Sequence, residues 1–116
     1  MSHIHNLPDG RLTLTIDRAD LPPDELFAIG ARANPRRAFL FVSKVLGKHW
    51  PVATATLARI HQALAAKLPD DLPAPVLFIG MAETATALAQ GVFEAGLARA
   101  PQSETLSLHT SRLRVA

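Results

Sequence analysis

Beyond residue 37 the chain settles into a regular pattern in which short unbroken apolar runs alternate with longer segments of helical period. Ala38, Phe39, Leu40, Phe41 and Val42 form one such run, and Val76, Leu77, Phe78 and Ile79 form another. Runs of this length, apolar at every position, predict strands buried on both faces. Between and after them, residues 52–68 and 84–99 are Ala- and Leu-rich and predict helices, and residues 105–108 predict a last strand. The order is βαβαβ, which implies an α/β fold: a parallel three-stranded core with helices packed on it through right-handed crossovers. The Ala-rich face of the first helix, with Ala53, Ala55, Ala58, Ala63, Ala65 and Ala66, suits close packing on a sheet.

Ahead of that core, residues 11–16 alternate polar and apolar after Asp9-Gly10, which predicts a half-buried edge strand. Leu21-Pro22-Pro23-Asp24-Glu25 places prolines and acids as a helix start requires, and the helix is expected to run to about Ala33 before Asn34-Pro35 stops it. Residues 1–37 therefore read as a strand–helix extension, and residues 38–116 as the core.

Composition narrows the class. The chain has 116 residues, 48% of them hydrophobic and 19% charged, which fits one globular domain rather than a disordered segment. No apolar run approaches the roughly 20 residues of a membrane helix. The first residues, Met1-Ser2-His3-Ile4-His5, have neither the basic nor the apolar region of a secretory signal, so a cytoplasmic location is the expectation. The absence of cysteine removes disulfides, thiol catalysis and Cys-based zinc sites together. His3 and His5 fall in what reads as a flexible terminus, where they would form no more than an incidental surface metal site. A net charge of +2 makes no demand for nucleic acid.

In a parallel α/β sheet, ligands bind beyond the carboxyl ends of the strands, which directs attention to three loops. The first carries Ser43, Lys44, Lys48, His49 and Trp50. The second is Gly80-Met81-Ala82-Glu83-Thr84, and the third is His109-Thr110-Ser111-Arg112. The second loop runs from an apolar strand through glycine and small residues into an Ala-rich helix. Unpaired N–H groups at a helix start, added to the positive end of the helix dipole, attract phosphate where no bulky side chain blocks the approach. Each feature also has a purely structural account. Paired lysines are commonly solvated, His49 can pack under its loop, Glu83 is an ordinary helix-start acid, and Thr84 and Thr86 are helix caps before they are phosphate ligands. Arg36 and Arg37 precede the first core strand at its amino end, away from these loops. Asp70-Asp71 lies in a Pro-flanked turn at the opposite end of the sheet. No P-loop, dinucleotide fingerprint or nucleophile elbow occurs.

Taken together, Phe39-Leu40-Phe41-Val42-Ser43-Lys44-Val45-Leu46-Gly47-Lys48-His49-Trp50-Pro51-Val52, Phe78-Ile79-Gly80-Met81-Ala82-Glu83-Thr84-Ala85-Thr86-Ala87-Leu88 and His109-Thr110-Ser111-Arg112 resemble the type I phosphoribosyltransferases. The nearest likeness is to the phosphoribosyltransferase-like proteins of tellurium-resistance-associated gene clusters, and it spans residues 38–112. The resemblance implies that Ala82, Glu83, Thr84, Ala85 and Thr86 form a loop for the pyrophosphate of phosphoribosyl pyrophosphate, neutralised in part by Mg2+. It also implies that Lys44, Lys48 and Arg112 are supporting cations, and it assigns no protein metal site and no catalytic residue.

The family's later strand ending in two adjacent acids, with its Thr-Gly-rich loop for the ribose 5′-phosphate, has no counterpart in these residues. The chain is thus expected to hold the N-terminal half of such a domain, inactive alone. An exposed sheet edge would then invite a homodimer or a complementing chain. The alternative is a phosphate-binding or assembly module that performs no chemistry and pairs through that edge.

Overall fold

A computed structural model describes residues 1–34, 36–83 and 85–112. Its contacts divide the chain into two units, Met1–Val52 and Ala53–Ala116.

In the second unit the predicted alternation is realised. Thr54–Ala65 forms helix α2, Val76–Gly80 strand β5, Thr86–Arg99 helix α3 and Thr105–His109 strand β6. The numbering leaves β1–β4 and α1 to the first unit. β5 and β6 pair in parallel, with Leu77 opposite Leu106, Ile79 opposite Leu108 and Gly80 opposite His109. A parallel pair requires a crossover, and α3 provides it. Phe78 turns toward that helix, where its ring meets Phe93 edge-on at 5.3 Å between centroids. Such a pair adds about 0.5–1.5 kcal/mol to the burial of the two rings. Gly96, one turn further on, leaves room for the same ring, since a Cβ there would lie 3.2 Å from Phe78 Cζ.

The second face of this pair is open. Leu77, Ile79, Leu106 and Leu108 all remain about half exposed. Strand burial therefore alternates in β5, although the sequence is apolar at every position.

Helix α2 packs principally on α3. Its small face does serve close approach, but the approach is helix on helix and not helix on sheet as its alanines predict. The closest point is Gly91, where an added Cβ would overlap the ring of His61. Ala65 alone among the described hydrophobic residues is fully enclosed, at 1% exposure.

The first unit departs further from expectation. Ser2–Leu7 (β1) and Gly10–Thr15 (β2) form an antiparallel hairpin around Pro8-Asp9, with His3 opposite Leu14 and His5 opposite Leu12. The terminus expected to be flexible is a strand. Its inward positions are His3, His5 and Leu7, while Ile4 faces outward at 61% exposure, so its hydrophobic pattern is nearly inverted. Helix α1 is also shorter than expected. It covers Pro23–Leu26 and stops where Phe27 becomes extended at φ −152° and ψ 163°.

The reason is the partner. Phe27–Ala31 (β3) pairs antiparallel with Phe39–Ser43 (β4), and the Phe27 and Phe41 rings meet edge-on at 5.2 Å. An aromatic residue and an isoleucine favour a strand, and a glycine disfavours continuing the helix, once a second apolar run lies beside the segment. Among the described residues, the first apolar core run therefore joins β3 in an antiparallel pair. The expected three-stranded parallel sheet is present as the two-stranded β5–β6 pair.

Replacing a helical glycine by alanine ordinarily stabilises a helix by about 1 kcal/mol. At Gly91 the overlap with His61 reverses the sign, and Gly91→Ala is expected to cost about 1–2 kcal/mol by urea unfolding. Adding His61→Ala should recover most of that loss, and a loss unaffected by His61→Ala would refute this packing.

Candidate functional site

The carboxyl ends of β5 and β6 are held together by the last residue of one and the chain just past the other. Gly80 is buried, and no side chain fits there: a Cβ would lie 2.6 Å from His109 Cδ2 and 2.7 Å from Ala89 Cβ. Its φ is unexceptional, so glycine is required by close approach and not by backbone conformation. The chain then leaves the sheet. Thr110 N–H donates to the Gly80 carbonyl at 2.8 Å, and Ala82 N–H donates to Thr110 Oγ1 at 2.8 Å. Met81, between these anchors, is 60% exposed. The Ala82–Glu83 peptide is cis.

From here the chain enters α3. Ala85 is its N-cap, and no side chain among the described residues caps this end. Thr86 is the first helical residue and is half-buried, as are Ala82 and Ala85, whereas Glu83 is exposed. Thr84 lies outside the described residues. Thr86 therefore does not occupy the cap position its hydroxyl suits, and the cap residue brings no acceptor of its own. The first N–H groups of a helix have no partner within it. At α3 they gather beside the ends of two parallel strands, with the positive end of a 14-residue helix dipole behind them.

His109 and Thr110 of the third loop reach the same place. His109 lies against Gly80, Thr110 binds the loop, and Arg112, two residues further along, is exposed. Thr110 was legible in the sequence only as one hydroxyl among several, and its role as loop anchor comes from its register opposite the strand end.

Lys44 and Lys48 belong to the other unit, and the contacts of Lys44 there are local. Lys44 Nζ donates to the Asp24 carbonyl at 2.8 Å and stands 5.6 Å from the Trp50 ring centroid. Ser43 Oγ accepts from the Val45 and Leu46 N–H groups at 3.2 and 3.1 Å, which turns the chain directly after β4. His49 is exposed with φ 63°, so it does not pack under the loop as its neighbour Trp50 implies. The assignment of Lys44 and Lys48 as supporting cations is carried by the resemblance alone.

Asp70 is engaged away from these loops, accepting from Arg99 Nη2 at 2.9 Å. No group of three or more His, Cys, Asp or Glu among the described residues would hold a metal ion. No helix among them is long and apolar enough to cross a membrane.

The fold and this strand–loop–helix junction define an α/β protein in which a helix starts at the carboxyl end of a parallel strand pair. A family model described as phosphoribosyl transferase matches residues 26–116, and the chain belongs to that family. Comparison with curated proteins and with solved structures finds no match.

Gly80→Ala is expected to destabilise the second unit by about 1–3 kcal/mol, because the new methyl meets Ala89 on a fixed helix as well as the His109 ring. His109→Ala in the same chain should restore only part of the loss, as read by thermal unfolding. Full restoration would show that Ala89 is not a barrier.

Proposed function

We propose that the chain binds the pyrophosphate group of phosphoribosyl pyrophosphate at the loop between β5 and α3. The observation that carries this reading is the start of α3, which no described side chain caps, at the carboxyl end of a parallel strand pair. Membership of the phosphoribosyl transferase family supplies the substrate class. In this reading the α3 amides, with Thr84 and Thr86, donate hydrogen bonds to the pyrophosphate oxygens. Arg112 supplies positive charge toward the highly charged pyrophosphate leaving group. Gly80 and Ala82 keep the approach free of bulk.

Glu83 is a single exposed carboxylate beside an anion site, and its place has chemical sense if Mg2+ arrives with the ligand. Mg2+ is commonly held by phosphate oxygens, water and one or two carboxylates, and so needs no protein cage. Glu83 would be its protein partner, and the ion would offset the charge of the departing pyrophosphate.

Pyrophosphate binding alone does not make a transferase. The ribose must be held while an oxocarbenium-like centre forms, and residues 1–116 include no paired-acid strand with a Thr-Gly-rich loop to do so. We assign residues 1–116 the pyrophosphate wall and predict glycosyl transfer only when a ribose-phosphate motif, which these residues do not carry, is supplied. A cytoplasmic setting suits such a substrate. A non-catalytic assembly module is the second reading. The fact favouring it is that β5 and β6 form a sheet of only two strands among the described residues, leaving edges to pair.

Calorimetric titration with pyrophosphate and with phosphoribosyl pyrophosphate, each with and without Mg2+, separates the readings. Binding of both, strengthened by Mg2+ and weakened about 10- to 100-fold by Thr84→Ala with Thr86→Ala, is the expected result. Arg112→Ala should weaken binding further and flatten its salt dependence. No heat at millimolar ligand would leave the assembly module standing.

A further inference from the structure

We infer that Thr110 is a positioning residue for the pyrophosphate loop, acting through its hydroxyl on the Ala82 amide. This inference rests on the site reading above. β5 and β6 form a parallel ladder. When Gly80 lies opposite His109, the ladder requires Thr110 N–H to bond the Gly80 carbonyl, and it does so at 2.8 Å. The next bond in the same ladder would run from Ala82 N–H to the Thr110 carbonyl. Ala82 N–H instead reaches Thr110 Oγ1 at 2.8 Å. A side-chain oxygen has taken the place of the backbone acceptor.

That substitution ends the sheet. With its N–H satisfied by a side chain, Ala82 need not continue alongside β6, and the chain is free to turn outward through Glu83 toward α3. Thr110 thereby grips the loop at both ends of a single exposed residue, through Gly80 on one side and Ala82 on the other. It is half-buried, so the hydroxyl is shielded from water that would compete for the amide. The same bond fixes which backbone groups meet a ligand. The Ala82 amide is committed, and the donors left for an anion are those that follow it.

The test uses the full chain and three variants: Thr110→Val, which keeps the shape and removes the acceptor, Thr110→Ala, and Thr110→Ser, which keeps the hydroxyl. Two quantities are read for each. The first is hydrogen exchange at the Ala82 amide without ligand, by NMR. The second is affinity for pyrophosphate with Mg2+. Thr110→Val and Thr110→Ala should both speed exchange at Ala82 and weaken pyrophosphate binding by about tenfold, the value of one lost hydrogen bond. Thr110→Ser should restore both, a rescue that a general loss of stability would not give.

Unchanged exchange at Ala82 in Thr110→Val or Thr110→Ala overturns the anchor. Faster exchange with unchanged affinity overturns its positioning role. A wild-type chain that binds no pyrophosphate removes the site reading, and the anchor is then decided by exchange alone.

Discussion

The second unit is organised around the absence of a side chain at position 80. Gly80 is where a strand end, a helix and the neighbouring strand approach more closely than any Cβ allows, with Ala89 on one side and His109 on the other. That approach brings α3 down onto the end of β5, aligns Gly80 with His109 and so places Thr110 where it can hold the loop. The proposed anion site depends on this packing: the helix start lies close to the strand ends because no side chain at position 80 holds them apart. Phe78 with Phe93 and Gly91 with His61 secure the same helix further along its length, on two different faces.

The parts of the fold that could be read from sequence are those whose pattern is self-sufficient. Residues 76–109 announce strand, helix and strand through apolar runs and an Ala-rich helical segment, and the structure follows them to within a residue or two. The segments that were misread depend on partners. Residues 27–31 carry helix-start signals just upstream, and they become a strand because Phe39–Ser43 lies beside them. The first strand was illegible because its half-buried positions are His3 and His5 and its isoleucine faces outward. Likewise, nothing in the run Phe39–Ser43 distinguishes a central parallel strand from a member of an antiparallel pair.

The candidate site divides along the same line. The junction at Gly80 was legible because glycine and small residues before a helix have a direct physical meaning as an anion approach, whereas the assignment of Ala82, Glu83, Thr84, Ala85 and Thr86 to pyrophosphate comes from the family resemblance. Thr110 was not, because its role arises from a register between two strands that no local motif encodes. Lys44 shows the opposite case: a cation in a suggestive loop whose ammonium is occupied by the Asp24 carbonyl and the Trp50 ring in its own unit. Residue type suggested a phosphate ligand there, and local geometry gives it a structural task.

The central claim is that pyrophosphate is bound by the backbone at the β5–α3 junction. Titration of the isotope-labelled chain with pyrophosphate and Mg2+, followed by backbone amide NMR, tests it residue by residue. The account predicts that the largest shifts fall within residues 82–88 and 109–112, while the β1–β2 hairpin is unmoved. Shifts centred outside that junction, or none at millimolar pyrophosphate, would contradict it.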